Sequence, residues 1–428
     1  MPRVLMDTYG CTLNKADSDI MAGILKEGGF EVDEGSHSSK VDHDYVLINT
    51  CTVKTPTETK IIERIRQVSK THAKVIVTGC MASANRDKIL RAAPNASIVT
   101  TSNIHRIAEA LQETAKSGLP ISYGSYTRSD KAAILPSTGQ VVARIPLSEG
   151  CLSSCSFCET KFARGPLNSF SEKLILKAIA MNVEKGAKEI ELTSQDVGAY
   201  GLDRSTNIAE LLEMATDISG DFKLRVGMLN PEHLGKYLDR LLPTFRSAKL
   251  YKFLHLPVQS GSDDVLRHMG RNYTVSEFAE YVSEARKKVS GISIATDIIV
   301  GYPTETRRDF DRSMALVERE RPTFTNVSKF GARPHARASR LKSLDVKAVK
   351  GRAIEMSRSA RAVQREDLSR LVGTVQQVLV TEKNDKSFSG RDECYRVVAL
   401  DAKGISIGDV ITARIVSNSS VCLLGKLA

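Results

Sequence analysis

The stretch Glu149-Gly-Cys-Leu-Ser-Ser-Cys-Ser-Phe-Cys-Glu159 holds three thiols, Cys151, Cys155 and Cys158, separated by three and then two residues. Thiolates at such spacing can wrap one corner of a cubane iron–sulfur cluster. The fourth iron then has no protein ligand and can chelate a small molecule. The alternatives are a zinc knuckle or three incidental thiols. Structural zinc usually closes with a fourth Cys or His at short spacing. Here the nearest histidines, His105 and His233, are remote in sequence.

Three further cysteines are placed by strands. Val4–Tyr9 is a strand-like run followed by Gly10-Cys11, Tyr45–Thr50 is another ending at Cys51, and Val75–Thr78 is a third ending at Gly79-Cys80. Helical patterns lie between them. Ile20, Ile24 and Leu25 recur at helical spacing; Thr55-Pro-Thr-Glu58 reads as a capping box, and Ile61, Ile62, Ile65 and Val68 follow on one face. Strands alternating with helices imply a parallel sheet whose carboxyl ends share one edge, where ligands bind. Cys11, Cys51 and Cys80 should converge there as a second three-cysteine metal site, the alternative being buried structural thiols. A cluster at this site would again leave one iron open.

The C-x3-C-x2-C pattern with an aromatic before its last Cys resembles the signature of radical S-adenosylmethionine (SAM) enzymes. In those proteins the open iron binds the amino and carboxylate groups of SAM, and an electron from the cluster splits it. The elements after residue 137 suit that resemblance. Strands are expected at 141–147, 189–193, 223–226, 252–256, 294–300 and 325–330, with helices at 171–185, 208–218, 231–242, 263–289 and 305–319. Six β/α units suggest an open relative of the (β/α)8 barrel, with its site at the carboxyl ends of the strands. Cys151 follows the first strand. Ser194-Gln195-Asp196 follows the second, and His255 to Gly261, including Gln259, follows the fourth. Asp297 and Gly301 end the fifth. Gln195, Gln259, Asp297 and Gly301 are therefore candidate SAM-binding residues, with Phe157 as a support for adenine.

Runs at 375–382, 388–390, 396–400, 410–416 and 421–424 read as short strands, with turns at Asn384-Asp385, Gly404 and Gly408. They predict a small antiparallel β-barrel. Cys394 and Cys422 have no partner spacing and read as structural. The fold class is thus α/β in three parts: an N-terminal parallel α/β domain (1–115), a partial (β/α)6 barrel (137–366) and a C-terminal barrel (369–428).

The 428 residues are 41% hydrophobic and 26% charged, in the range of ordinary globular proteins. No apolar run reaches the length of a membrane span, and the N-terminus meets Asp7 too early for a signal peptide. A cytoplasmic protein with no membrane partner is expected, with its eight cysteines as ligands or buried thiols instead of disulfides. The formal charge of +11 favours a polyanionic partner. It is concentrated between Val346 and Arg370, where seven basic residues face three acidic ones; a solvated helix face is the plainer account of that stretch.

The modules in this order resemble the methylthiotransferases over nearly the whole chain. The resemblance rests on Thr8-Tyr-Gly-Cys11 with Asn14, Asp17 and Ser18; Asn49-Thr-Cys51; Gly79-Cys80; Gly150–Cys158; Gln195-Asp196; Pro257–Ser262; and Asp297–Pro303. The C-terminal barrel is similar to the RNA-binding TRAM domain. Cys158–Gly165 and Thr193–Gly201 look most like the archaeal and eukaryotic branch. That branch acts on threonylcarbamoyladenosine at position 37, 3′ of the anticodon of tRNA. The resemblance implies two [4Fe-4S] clusters, one on each triad, with SAM as cosubstrate. It also implies the tRNA anticodon stem-loop as partner and an electron donor of reductase, flavodoxin or ferredoxin type. One SAM would methylate a sulfur on the cluster held by Cys11, Cys51 and Cys80, and a second, on the cluster held by Cys151, Cys155 and Cys158, would yield a radical that removes hydrogen from carbon 2 of adenine. Phe330–Arg337 departs from the Arg-Pro-Gly-Thr of many relatives, and its role is open. Competing readings are modification of isopentenyladenosine in tRNA or of a ribosomal-protein aspartate. A non-catalytic metal-stabilised RNA-binding protein is the alternative of another class.

Overall fold

The computed structural model describes residues 1–35, 40–52, 55–124, 131–134, 139–384 and 387–428. Asp385, in one expected turn, and residues 137–138, at one expected boundary, lie outside them.

Every residue of Tyr45–Thr50 is buried, which a strand achieves only with helices on both faces of its sheet. The N-terminal sheet is accordingly parallel. Its strands are β1 (Arg3–Thr8), β2 (Glu31–Glu34), β3 (Tyr45–Thr50), β4 (Lys74–Gly79), β5 (Ser97–Val99) and β6 (Ser122–Tyr123), in the order β2-β1-β3-β4-β5-β6. The three strands expected from sequence form its centre. The flanking strands are too short to display a period, and β6 joins the sheet beyond residue 115. The helix Thr55–Val68 forms, but both Glu58 carboxylate oxygens are engaged outside it, by Lys88 and Arg333. Glu58 thus ties the helix to distant segments where a capping box was expected.

The central part follows the expected strands to within one or two residues. After β7 (Val142–Pro146), a small hairpin pairs β8 (Ser148–Glu149) with β9 (Asn168–Ser169). Then come β10 (Glu189–Thr193), β11 (Lys223–Val226), β12 (Phe253–His255), β13 (Ser293–Val300) and β14 (Phe324–Lys329). Parallel pairing gives β7-β10-β11 and β12-β13-β14. Single bridges Leu224–Leu250 and Met228–His255 join the two sets into one arc. The arc stays open between β7 and β14. Two expected helices are each divided. In the second, Gly270 at φ 72° ends Asp263–Met269, and a Thr274–Glu277 capping box opens Val275–Lys288. Both are local stop and start signals. The first breaks between Leu234 and Leu238. The helix Val346–Ser369 is clamped onto the arc by Arg352–Glu305, Arg307–Glu355 and Arg321–Asp367 ion pairs.

The last strands, β15 (Val375–Lys383), β16 (Phe388–Asp392), β17 (Val397–Leu400), β18 (Val410–Asn418) and β19 (Leu423–Leu427), close a barrel in the order β15-β16-β17-β19-β18. Four pairings are antiparallel, but β17 and β19 run parallel. The expectation of a wholly antiparallel barrel is corrected there: the connection through β18 brings β19 back in the direction of β17. Among the described residues no helix is long and apolar enough to cross a membrane.

Tyr395 docks this barrel on the central arc. Its hydroxyl lies 3.3 Å from Glu189 and 3.1 Å from Glu191, and the Tyr251 hydroxyl donates to Glu189 at 2.9 Å. Burial pushes the Glu189 carboxyl up to about 7, with the Glu191 charge adding to the effect. The folded interface therefore favours the neutral acid. Its contribution is greatest below the ordinary glutamate range and is lost as pH rises through about 7. Thermal melts should fall between pH 5.5 and 8 (roughly the window spanning this titration), and Glu189→Gln should remove most of that slope. A slope unchanged by the substitution would count against this assignment.

Candidate functional site

Cys11 directly precedes the helix Thr12–Glu27, Cys51 follows β3, and Cys80 opens the helix Cys80–Ala84 after β4. The common sheet edge brings them together. The Cys11 and Cys80 sulfurs lie 3.8 Å and 3.7 Å from the same atom, Asn14 Oδ1. A Cβ on Gly10 would sit 2.9 Å from Cys51 Cβ, so the turn before Cys11 runs against Cys51. Burial pushes the Cys80 thiol up to about 12; Arg164 opposes this, while Cys51 and Cys11 add to it. Three strand ends separated by up to 69 positions thus deliver three mutually interacting thiols.

The loop of Cys151, Cys155 and Cys158 is held by backbone and hydroxyl contacts. The Ser156 amide donates to the Met269 carbonyl at 2.8 Å, and the Ala338 amide to the Ser156 carbonyl at 2.8 Å. Ser156 Oγ meets the Tyr302 hydroxyl at 2.8 Å, and Ser153 Oγ donates to Glu232 at 2.9 Å. Arg271 donates to Cys155 Sγ at 3.2 Å and to the Pro257 carbonyl at 3.0 Å. Burial, aided by the Asp196 charge, pushes the Cys151 thiol up to about 12. Among the described residues no three His, Cys, Asp or Glu groups are arranged to hold a single metal ion. Each triad is a set of three sulfur donors without a fourth protein ligand, which suits a multi-iron cluster with an open iron better than closed zinc.

The two triads meet at one seam. Thr160–Arg164, which follows Cys158, packs against Cys80–Ala84. Arg164 Nε donates to Cys80 Sγ at 3.3 Å, and its terminal nitrogens reach Asn14 at 2.7 Å, Asp17 at 2.8 Å and Glu149 at 3.0 Å. Lys131 completes a buried quartet with Asp17, at 2.8 Å, and Glu149. Although burial alone would raise it, Arg164 and Lys131 hold the Asp17 carboxyl below its usual range. Beside the quartet, Thr52 and Asn85 donate to Glu159 at 2.6 Å and 3.2 Å.

The residues expected to hold SAM fall into two groups. Among the described residues Ser194 Oγ, Gln195 Oε1 and Asp196 Oδ2 are buried without a hydrogen-bond partner; the Asp196 charge acts on Cys151, and its Oδ2 lies 3.6 Å from His233 Nε2. Polar atoms left so in a dry site need a ligand or water, and these acceptors fit an amine and ribose hydroxyls. Gln259, at φ 70°, continues the ladder through Asp297 and Ile299 backbone bonds. The Asp297 carboxylate meets His255 at 2.8 Å and Asn326 at 2.9 Å. Phe157 packs in an apolar cluster with Val265, Met269 and Tyr302. Gly301 has a packing reason of its own: a Cβ there would come within 2.6 Å of Val349 on the helix Val346–Ser369. Sequence reasoning missed the roles of Arg164, Glu149, Lys131 and Arg271. One signal was present: Asp17 interrupts the buried stripe Leu13, Ala16, Ile20, Met21, and an acid on an apolar face needs a cation.

An open six-strand parallel arc with three cysteines after its first strands defines a radical SAM protein, here carrying a second cysteine triad in a domain of its own. Residues 145–317 match the radical SAM superfamily, and residues 3–101 match an uncharacterized protein family, UPF0004. The cobalamin-dependent radical SAM enzyme OxsB superposes with a TM-score of 0.57 at 11% identity, over 79% of this chain and 55% of that one. The chain is 40% identical to the probable threonylcarbamoyladenosine tRNA methylthiotransferase of Methanothermobacter thermautotrophicus, over 92% of each. It is 33% identical to the threonylcarbamoyladenosine tRNA methylthiotransferase of Drosophila melanogaster, over 99% of this chain and 77% of that one. The chain belongs to the threonylcarbamoyladenosine tRNA methylthiotransferase family.

Removing one member of a buried ion network leaves a charge without compensation, at a cost of about 3–5 kcal/mol. Arg164→Met should lower the unfolding free energy of the apoprotein by that amount in denaturant titrations. A loss under about 1 kcal/mol would mean that solvent reaches the quartet.

Proposed function

We propose that this chain transfers a methylthio group to carbon 2 of threonylcarbamoyladenosine at position 37 of tRNA. The observation that carries this reading is the seam: two separate cysteine triads, with Arg164 on Cys80 Sγ in the helix that follows Cys158 and Arg271 on Cys155 Sγ. When bound, two [4Fe-4S] clusters and SAM supply the sulfur group and the radical. The protein positions the triads, orients SAM through Ser194, Gln195 and Asp196, and excludes water from the buried side of the seam. An electron donor of reductase, flavodoxin or ferredoxin type completes the requirement. The site suits a cytoplasmic enzyme, because cluster thiols need a reducing compartment.

Support for an RNA substrate lies on the open side of the arc. A groove of about 650 Å³ runs between β14 and the helix Val346–Ser369, lined by Lys329, Lys350, Arg358 and Arg361 with Val327 and Ile354. None of these four cations makes an ion pair among the described residues, whereas Arg352 on the same helix is spent on Glu305. The basic stretch is therefore part clamp and part uncompensated anion groove, more specific than a uniformly solvated face. The barrel from residue 369 onward, TRAM-like in its sequence, would add shape and stacking contacts.

Changing Cys151, Cys155 and Cys158 together to Ala should remove about half the iron and abolish 5′-deoxyadenosine formation. The matching change at Cys11, Cys51 and Cys80 should leave 5′-deoxyadenosine formation measurable while the methylthio product disappears. Nucleoside mass spectrometry of tRNA from a deletion strain tests the substrate directly; unchanged 2-methylthio-threonylcarbamoyladenosine would refute it. Reversing charge at Lys350, Arg358 and Arg361 should also flatten the salt dependence of tRNA affinity by about 2 in log–log slope. An unchanged slope would leave the groove without a role in binding.

A further inference from the structure

Phe162 is the one exposed phenylalanine among the described residues, at 57%. It is not stranded in solvent. Its ring lies parallel to the His335 imidazole, with centroids 3.7 Å apart and planes at 4°. His335 is fixed from behind, its Nε2 lying 2.8 Å from the Ala84 carbonyl. Phe162 stands four residues past Cys158, and Ala84 four residues past Cys80, on two helices that pack together. The stacked pair therefore sits on the seam between the triads, bridging the central arc and the N-terminal domain. Its surroundings are cationic and partly apolar. Lys161 Nζ reaches the Leu152 and Ser153 carbonyls at 3.2 Å and 3.3 Å, exposed Arg337 reaches the Ser154 carbonyl at 2.6 Å, and Leu152 is exposed. The nearby acid, Glu159, is buried on Thr52 and Asn85 and lies 4.0 Å from His335 Nε2.

We propose that the Phe162–His335 pair is a stacking platform for an unpaired nucleobase of the RNA substrate, one that flanks the base delivered to the seam. This rests on the RNA reading above and assigns a role to the Arg333–Arg337 loop. A ring backed on one face by a fixed imidazole presents its other face with little entropy left to lose. The flanking cations suit the phosphates on either side of a splayed base. Bases in single-stranded loops are held on aromatic faces in this way, at about 1–3 kcal/mol each. No hydrogen-bonding code is involved, so the platform would tolerate any base at that position.

The test uses the full-length protein and two RNA probes: an anticodon stem-loop with 2-aminopurine in its loop, and a blunt duplex of the same length. Wild-type protein should bind the stem-loop and change its 2-aminopurine fluorescence. Phe162→Ala should weaken stem-loop binding by roughly 5- to 150-fold, the span of one base stack, and abolish the fluorescence change. Phe162→Tyr should restore both, and His335→Ala should lose part of the affinity. The salt dependence should keep its slope in Phe162→Ala, because stacking releases no counterions. Duplex binding should be unaffected. Equal stem-loop binding by wild type and Phe162→Ala would overturn the platform while leaving the RNA reading intact. A loss of the same size on the duplex, or a flattened salt slope, would also overturn it. No binding of the stem-loop by wild type would overturn both.

Discussion

The structure depends on a charge buried where none would survive alone. Arg164, Asp17, Glu149 and Lys131 are each nearly inaccessible to solvent, and transferring any one of them unpaired from water would cost several kcal/mol. Two cations and two anions cancel, and the fork of Arg164 uses its remaining donors on Asn14 and Cys80. These contacts tie Asp17 and Cys80 of the N-terminal domain to Glu149 and Arg164, which flank the cysteine loop in sequence. An apolar seam of similar volume would serve stability as well, but would let the domains slide.

The partial barrel explains why such a seam exists. A closed eight-strand barrel would cover its own flank, whereas six strands leave β7 and β14 each with one free edge and the site open from the side. The N-terminal domain occupies the β7 side, through Arg144 on Asp19 and the Arg164 contacts. The helix Val346–Ser369 lies along β14 and brings its uncompensated cations to the same mouth. Geometry that is incomplete as a barrel becomes a socket with one wall from each neighbour.

Much of this was legible in the residues, and for physical reasons. Period-2 and buried strand runs located β1, β3, β4 and the six strands of the arc. The rule that ligands gather at strand carboxyl ends predicted that Cys11, Cys51 and Cys80 would meet; the Cys11 and Cys80 sulfurs share Asn14, and Cys51 lies against Gly10. The quartet was not legible, because Asp17 and Arg164 are 147 positions apart and ion pairs across a chain leave no local period. Strands of two to four residues, such as β5 and β6, carry too few side chains to show alternation. Gly301 has a packing reason that the sequence does not display: Val349 takes the space a Cβ would need. The parallel pairing of β17 with β19 also has no sequence signature, since period 2 is indifferent to strand direction.

The seam also bears on modularity. The C-terminal barrel is held to the arc without a fully buried ion pair among the described residues, through Tyr395 on Glu189 and Glu191, Leu368 in its core and the Lys252–Glu393 pair. The N-terminal domain is not. Cut away, it would leave Asp17 without Arg164, while the arc would keep Arg164 on Glu149 alone. Each half is an incomplete folding unit with respect to the other. The two cysteine-bearing halves are constrained to be inherited together, as one electrostatic object written in two stretches of sequence.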